Sequence, residues 1–242
     1  MLDVAEQLIA DGLGIAKQRR IQDVITLGLW NMANIHTSRG HFDKARECLQ
    51  EGLLTCREIG HLSIRVGILI TYGVVVSSGA QPDIRLALEY WCEGLNCAEM
   101  TGQHEQETLL LCNLAEGHLY LEKPEVAHSY IARAISLAVK LGSDWEVGSA
   151  YMLLGHYYLK TAQPTRAKRA YKKALKRGEH AKYPEIIADA HFGLGKCDWF
   201  FGRKLDGMRL IYQALSEHLQ AQNGRAEEIV EWMRQNDVTC PD

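Results

Sequence analysis

Apolar residues recur along the chain at spacings of three and four, the period of a helix with one buried face. Residues 42–58 show the pattern. Ala45, Leu49, Gly52, Leu53 and Cys56 fall on one side, and Asp43, Lys44, Arg46, Glu47, Gln50 and Glu51 on the other. No segment alternates with period two for long, so strands are poorly supported. The helical pattern itself repeats. Ala5, Ala45, Ala87, Ala127, Ala167 and Gly207 form a small-residue series at intervals of 40, 42, 40, 40 and 40. Further on in each copy comes a second small residue (Gly12, Gly52, Gly94, Ala134, Ala174, Ala214), followed at once by a branched aliphatic. Another small series, Ala33, Gly73, Ala115, Gly155 and Gly195, precedes the first by 12 residues except in the second copy, where SSGAQPDIR holds two extra residues. Self-similarity at this period denotes stacked supersecondary units, each burying its apolar face on its neighbours.

Start and stop residues divide each unit into two helices. Pro124 and Pro164 share a repeat position and suit a first turn, where a missing N–H costs nothing; Pro184 does the same for a later helix. Gly60, Gly102 and Gly142, again equivalent, suit helix ends that enter the left-handed conformation. The pattern predicts helix pairs near 22–38/42–58, 64–79/84–101, 106–121/124–140, 145–161/164–179 and 185–201/204–220, joined by tight turns around Gly40, Ala80, Glu122, Ala162 and Gly202. The aligned small residues mark helix crossings, because axes approach to about 8 Å only over Ala or Gly. Met32, Tyr72, Leu114, Leu154 and Leu194 fill the space between crossings.

The fold class expected is therefore all-α, a right-handed solenoid of helical hairpins. Residues 1–19 form half a repeat, 22–220 five repeats, 224–236 a capping helix carrying Ile229, Val230, Trp232 and Met233, and 237–242 a short disordered tail. Leu8, Ile9, Leu13 and Ile15 give the first helix more apolar surface than a polar cap should show. The favoured expectation is a piece of a longer protein, with self-association or an upstream domain meeting residues 1–19; the alternative is a lone capping helix.

The units resemble the tetratricopeptide repeat. Leu154-Gly155-His156-Tyr157-Tyr158 with Ala167 matches that family's pattern best, followed by Leu194-Gly195 with Gly207, and more weakly by Met32-Ala33 with His36 and Leu114-Ala115 with His118. The period of 40 is similar to the longer-repeat subgroup of bacterial transcription activators, peptide-sensing regulators and kinesin light chains. The repeat is a scaffold with many uses, so it implies recognition rather than a particular partner.

Composition adds mainly exclusions. With 47% hydrophobic and 24% charged residues the chain is globular. It has no apolar run of about 18 residues, so no membrane partner is expected. The start, MLDVAEQLIADG, is acidic and amphipathic, unlike a signal peptide, and seven scattered cysteines do not make a disulfide framework. A reducing, cytoplasmic setting is expected. No glycine-rich phosphate loop, His-Glu-x-x-His or Cys-x-x-Cys is present, and the ten histidines lie on different helices without ligand spacing. No catalysis, cofactor or metal is expected.

Two surfaces remain. The resemblance implies a concave groove lined by the first helix of each pair. Carried over residue by residue, that groove takes Trp30 and Asn34 from the first complete unit, Val74 from the second, and Glu116 and Tyr120 from the third. The fourth supplies Met152, His156 and Lys160, and the fifth Phe192, Lys196, Trp199 and Phe200. Aromatic anchors of this kind suit a helix or extended peptide. The family's clamp for a C-terminal carboxylate uses Lys and Asn on the first helices, and Ile70 and Val74 break that pattern. The second surface is basic: between Lys160 and Lys182 nine Lys or Arg face one acid, Glu179. Its stripes, Lys168-Lys172-Lys176 and Arg169-Lys173-Arg177, lie opposite the apolar face of one helix. Such charge suits nucleic acid, anionic lipid or an acidic protein, but no aromatic residue interleaves the stripe to stack on bases, which disfavours single-stranded nucleic acid. The function expected is a protein- or peptide-binding scaffold; the alternative is a ligand-sensing regulatory domain of a larger protein such as a transcription activator.

Overall fold

The computed structural model describes residues 2–79, 81–221 and 225–238. Among them every regular element is an α-helix. In order they are α1 (Leu2–Arg19), α2 (Gln22–Ser38), α3 (Phe42–Ile59), α4 (Leu62–Ser77), α5 (Ile84–Thr101) and α6 (His104–Tyr120). Then come α7 (Pro124–Leu141), α8 (Asp144–Lys160), α9 (Pro164–Ala181), α10 (Pro184–Phe200), α11 (Lys204–Gln220) and α12 (Arg225–Gln235). The architecture is an all-α solenoid of helical hairpins. Two units divide the chain, residues 1–122 and 123–242. In the first, α2 pairs with α3 and α4 with α5, α1 packs on α2, and α4 touches both α2 and α6. In the second, α8 pairs with α9 and α10 with α11, α7 packs on α8, α10 touches α8, and α12 follows α11.

The helix ends follow local chemistry. Pro124, Pro164 and Pro184 each open a helix. α4 begins at Leu62 rather than near 64, because the His61 ring accepts the Ile64 N–H at 3.3 Å and so caps an earlier turn. Gly60, Gly102 and Gly142 close α3, α5 and α7 with φ of 70°, 67° and 70°. Lys182 closes α9 at the equivalent place with φ 57°, a left-handed conformation that a side chain disfavours. The turn expected at Ala80 lies outside the described residues, as do Met1, Gly224 and residues 239–242. Val238, assigned above to the tail, instead donates its N–H to the Met233 carbonyl at 2.9 Å and is buried with Phe192, Ile211, Ile229 and Met233.

Crossings occur at the small residues. Ala33, Ala45, Ala87, Ala115, Ala127 and Ala167 are fully buried. At Gly195 and Gly207 the two backbones touch: a Cβ on either would lie 2.9 or 2.8 Å from the other's carbonyl oxygen. The helix position held by Leu49, Ile131 and Ile211 is occupied twice by an aromatic, Trp91 and Tyr171, and all five are buried. Glycines on the neighbouring helices make the room. Gly73 and Gly117 flank Trp91, and Gly155 and Gly193 flank Tyr171, each with a Cβ position within 3.3 Å of the ring. Buried thiols serve as small packing groups: burial raises Cys56 to about 11 and Cys197 to about 12.

α1 is the exception. Val4, Leu8 and Ile15 are exposed, and a Cβ added at Gly12 would meet nothing within 4 Å. The equivalents Gly52 and Gly94 press against Leu29 and Ile68, and against Leu69 and Leu110. No helix among the described residues is long and apolar enough to cross a membrane.

Candidate functional site

The expected groove residues fall into three local settings. In the first unit, Trp30 lies over Gly67 of α4, whose added Cβ would come within 2.4 Å of the ring. Its indole N–H donates to Thr71 Oγ1 at 2.9 Å, and that hydroxyl donates to Asn34 Oδ1 at 3.2 Å. Trp30 thus packs and bonds between α2 and α4, with Asn34 exposed beside it.

Farther along the same unit a half-open pocket of about 330 Å³ lies between the C-terminal halves of α4 and α6 and the first turns of α5. Val74 and Ser77 come from α4, Asn113, Glu116, Gly117 and Tyr120 from α6, and Ile84 and Trp91 from α5, with Pro82 before it. Val74, Glu116 and Tyr120 are brought together here, and the Tyr120 side chain is 61% exposed. Trp91 is fixed beneath them, its indole N–H donating to the Ile70 carbonyl at 3.3 Å. The two residues inserted in this copy lengthen the α4–α5 connection, which contributes Pro82 to the wall. Trp91, Asn113, Pro82 and Ile84 were missed from sequence. The available signal was an oversized residue, Trp91, where four other copies carry Leu or Ile and one carries Tyr171.

In the second unit the groove residues pack mainly against neighbouring side chains. Lys196 Nζ lies 4.1 Å over the Phe192 ring. His156 meets Tyr171 edge to face at 5.8 Å. Burial, then the Lys196 ammonium and the Arg225 guanidinium, draw the His156 imidazole down to about 3, so it is neutral near pH 7. Burial also lowers Lys196, opposed by the Glu228 carboxylate. Trp232 of α12 covers two expected anchors: it meets Phe192 at 5.7 Å and Trp199 at 6.2 Å, both nearly perpendicular. Lys204 lies 4.8 Å over Trp199. Met152 and Phe192 are buried, whereas Lys160 and Phe200 are exposed, Phe200 at 59%. Asp189 accepts from Arg225 at 3.2 Å and lies 3.1 Å from His218 Nε2; burial raises its carboxyl. A broader hollow of about 610 Å³ at the α9–α10–α11 junction is lined by Glu179, Lys182, Ile187 and Glu217 and includes no expected groove residue.

The basic stripe of α9 is also in place, with one correction. Aromatic residues do interleave it, supplied by α8 rather than α9: Lys173 lies 4.8 Å over Tyr151, and Arg166 5.8 Å over Tyr158. Lys168 pairs with Asp198 at 2.5 Å and Arg177 with Asp144 at 2.8 Å. Among the described residues no group of three or more His, Cys, Asp or Glu side chains is placed to hold a metal.

Comparison with known proteins agrees with the helical-hairpin fold. Residues 31–59 and 148–177 match models described as tetratricopeptide repeat. No curated protein sequence matches significantly. Among solved structures, the chain superposes on BtubC (BKLC) from P. vanneervenii with a TM-score of 0.72 at 20% identity, covering 92% of this chain and 91% of that one. RapI in its apo form gives 0.74 at 13%, covering 88% and 77%. NprR in complex with its cognate peptide NprX gives 0.70 at 13%, covering 88% and 62%. The period, the hairpin packing and the two matched segments agree: residues 31–59 and 148–177 are similar to tetratricopeptide repeats, and the chain shares the fold of these structures.

Proposed function

We propose that this chain is a non-catalytic scaffold that holds a peptide or an extended segment of another protein, anchored at the α4–α6 pocket. The observation that carries this reading is the pocket itself. An exposed Tyr120 and an exposed Val74 stand over a rigid Trp91 floor, with Glu116 at the rim to orient a basic or amino group. Within the second unit, His156, Lys196 and Phe200 would serve as polar and aromatic contacts of a separate site. NprR, seen with a peptide, supports a peptide ligand. It also supports the second reading, a ligand-sensing module of a larger protein, since the match spans 62% of that chain.

Selection from a displayed peptide library, followed by calorimetry, tests the assignment. Tyr120→Ala should weaken the selected peptide by about 2 kcal/mol, while Lys172→Ala on α9 leaves it unchanged. Selection of no peptide, or an unchanged affinity in the Tyr120 variant, removes the pocket from the reading.

A further inference from the structure

α9 turns a second, differently built surface outward. Arg166, Arg169, Lys173 and Lys176 follow one another at three- and four-residue steps, so a rise of about 1.5 Å per residue sets them about 5 Å apart along the helix. Tyr151 and Tyr158 of α8 lie seven residues apart and therefore on one helix face. Together they line two adjoining clefts of about 430 and 240 Å³ that share Tyr151 and Lys173. Leu154 and Ala170 add an apolar floor to the smaller one.

The charges sort by position. Arg177 and His180 both bond to Asp144, at 2.8 and 2.6 Å, and Lys168 bonds to Asp198. Arg169, Lys172, Lys173 and Lys176 have no carboxylate partner among the described residues. Like charges three and four apart on a helix repel and destabilise it. α9 therefore carries an uncompensated stripe along the edge where the two α8–α9 clefts lie open.

We propose that the α8–α9 cleft is a second docking surface, for an acidic helical segment of another protein. Such a helix presents one carboxylate per turn of about 5.4 Å, which matches the cation spacing, and its apolar residues meet Leu154, Ala170 and the tyrosine edges. Nucleic acid fits less well. A base stacks on an aromatic face, and here Lys173 and Arg166 each already cover one face of Tyr151 and Tyr158.

The test uses the full chain and two labelled probes, read by fluorescence anisotropy. One is an alanine-based helical peptide of about 20 residues with a glutamate on each turn, and the other an oligouridylate of about 12 nucleotides. The peptide should bind and weaken by about tenfold between about 50 and 200 mM salt. The combined Arg169→Glu, Lys173→Glu, Lys176→Glu variant, checked for native helicity, should lose about tenfold or more, whereas Tyr120→Ala should not change binding. Should the triple variant misfold, Arg169→Ala with Lys176→Ala, which leaves both rings covered, reads the same loss. Failure of the peptide to bind at low salt, equal binding by the charge variants, or tighter binding of the oligouridylate overturns the proposal.

Discussion

Gly155→Ala sets two effects of opposite sign against each other. In a helix interior, alanine is favoured over glycine by about 1 kcal/mol, so propensity alone makes the change stabilising. At this position a Cβ would lie 2.3 Å from Tyr171 Cε1, well inside contact distance. The ring has no room to retreat, because Gly193 flanks it as well, with its own Cβ position 2.5 Å away. Overpacking of this kind costs about 1–3 kcal/mol, and a ring enclosed by two helices belongs in the upper half of that range. The net expectation is a loss of about 1–2 kcal/mol. The control is Gly14→Ala, where an added Cβ meets nothing within 4 Å and a gain of up to about 1 kcal/mol is expected. Urea unfolding followed by circular dichroism reads both from the midpoint shift. Combining Gly155→Ala with Tyr171→Leu should cost less than the two changes summed, since the smaller side chain vacates the contested space. A Gly155→Ala chain as stable as the Gly14→Ala chain would refute the argument that helix spacing is set by this ring.

Other expectations follow from the same packing and from charge. Tyr171→Phe keeps the shape while removing a buried hydroxyl that has no hydrogen-bond partner among the described residues, so the urea midpoint should rise by the equivalent of about 1 kcal/mol. Lys182→Gly relieves the left-handed residue at the end of α9 and should stabilise by about 0.5–1 kcal/mol in the same assay, net of the entropy glycine adds to the unfolded chain. The His156 imidazole is lowered from 6.5 to about 3 in the folded state, so the unfolded chain binds the extra proton between those values. Its contribution is complete above pH 6.5 and is lost as pH falls toward 3. Thermal unfolding of wild type and His156→Gln at neutral pH and near pH 4 should show a shallower acid loss in the variant.

What was legible in the sequence was whatever depends on periodicity. The intervals of 40 and the aligned Pro and Gly residues report helix boundaries directly, since each of those residues acts on its own backbone. Partnership across helices was less accessible. Trp30 and Phe192 occupy groove-facing positions by register, yet Trp30 lies over Gly67 and Phe192 meets Trp232, choices made by residues 37 and 40 positions away. The tyrosines beside the basic stripe were overlooked for the same reason: they lie on α8, whereas the stripe is on α9. Val238 was assigned to a tail because a single valine carries no period, although the Met233 carbonyl holds it.

The pairing of oversized rings with flanking glycines bears on how such a chain can change over evolutionary time. Repeat arrays lengthen and shorten by duplicating or losing whole units, which works when neighbouring units are interchangeable. Here they are not. Trp91 is accommodated only where Gly73 and Gly117 stand on either side, and Tyr171 only between Gly155 and Gly193. A hairpin excised with its ring takes Gly73 or Gly155 along and leaves Gly117 or Gly193 facing a gap in the next helix, and one inserted elsewhere would meet a next helix without glycine at that place. Each ring therefore works as a key cut for a single address, and it keeps the order of the hairpins around it from being shuffled.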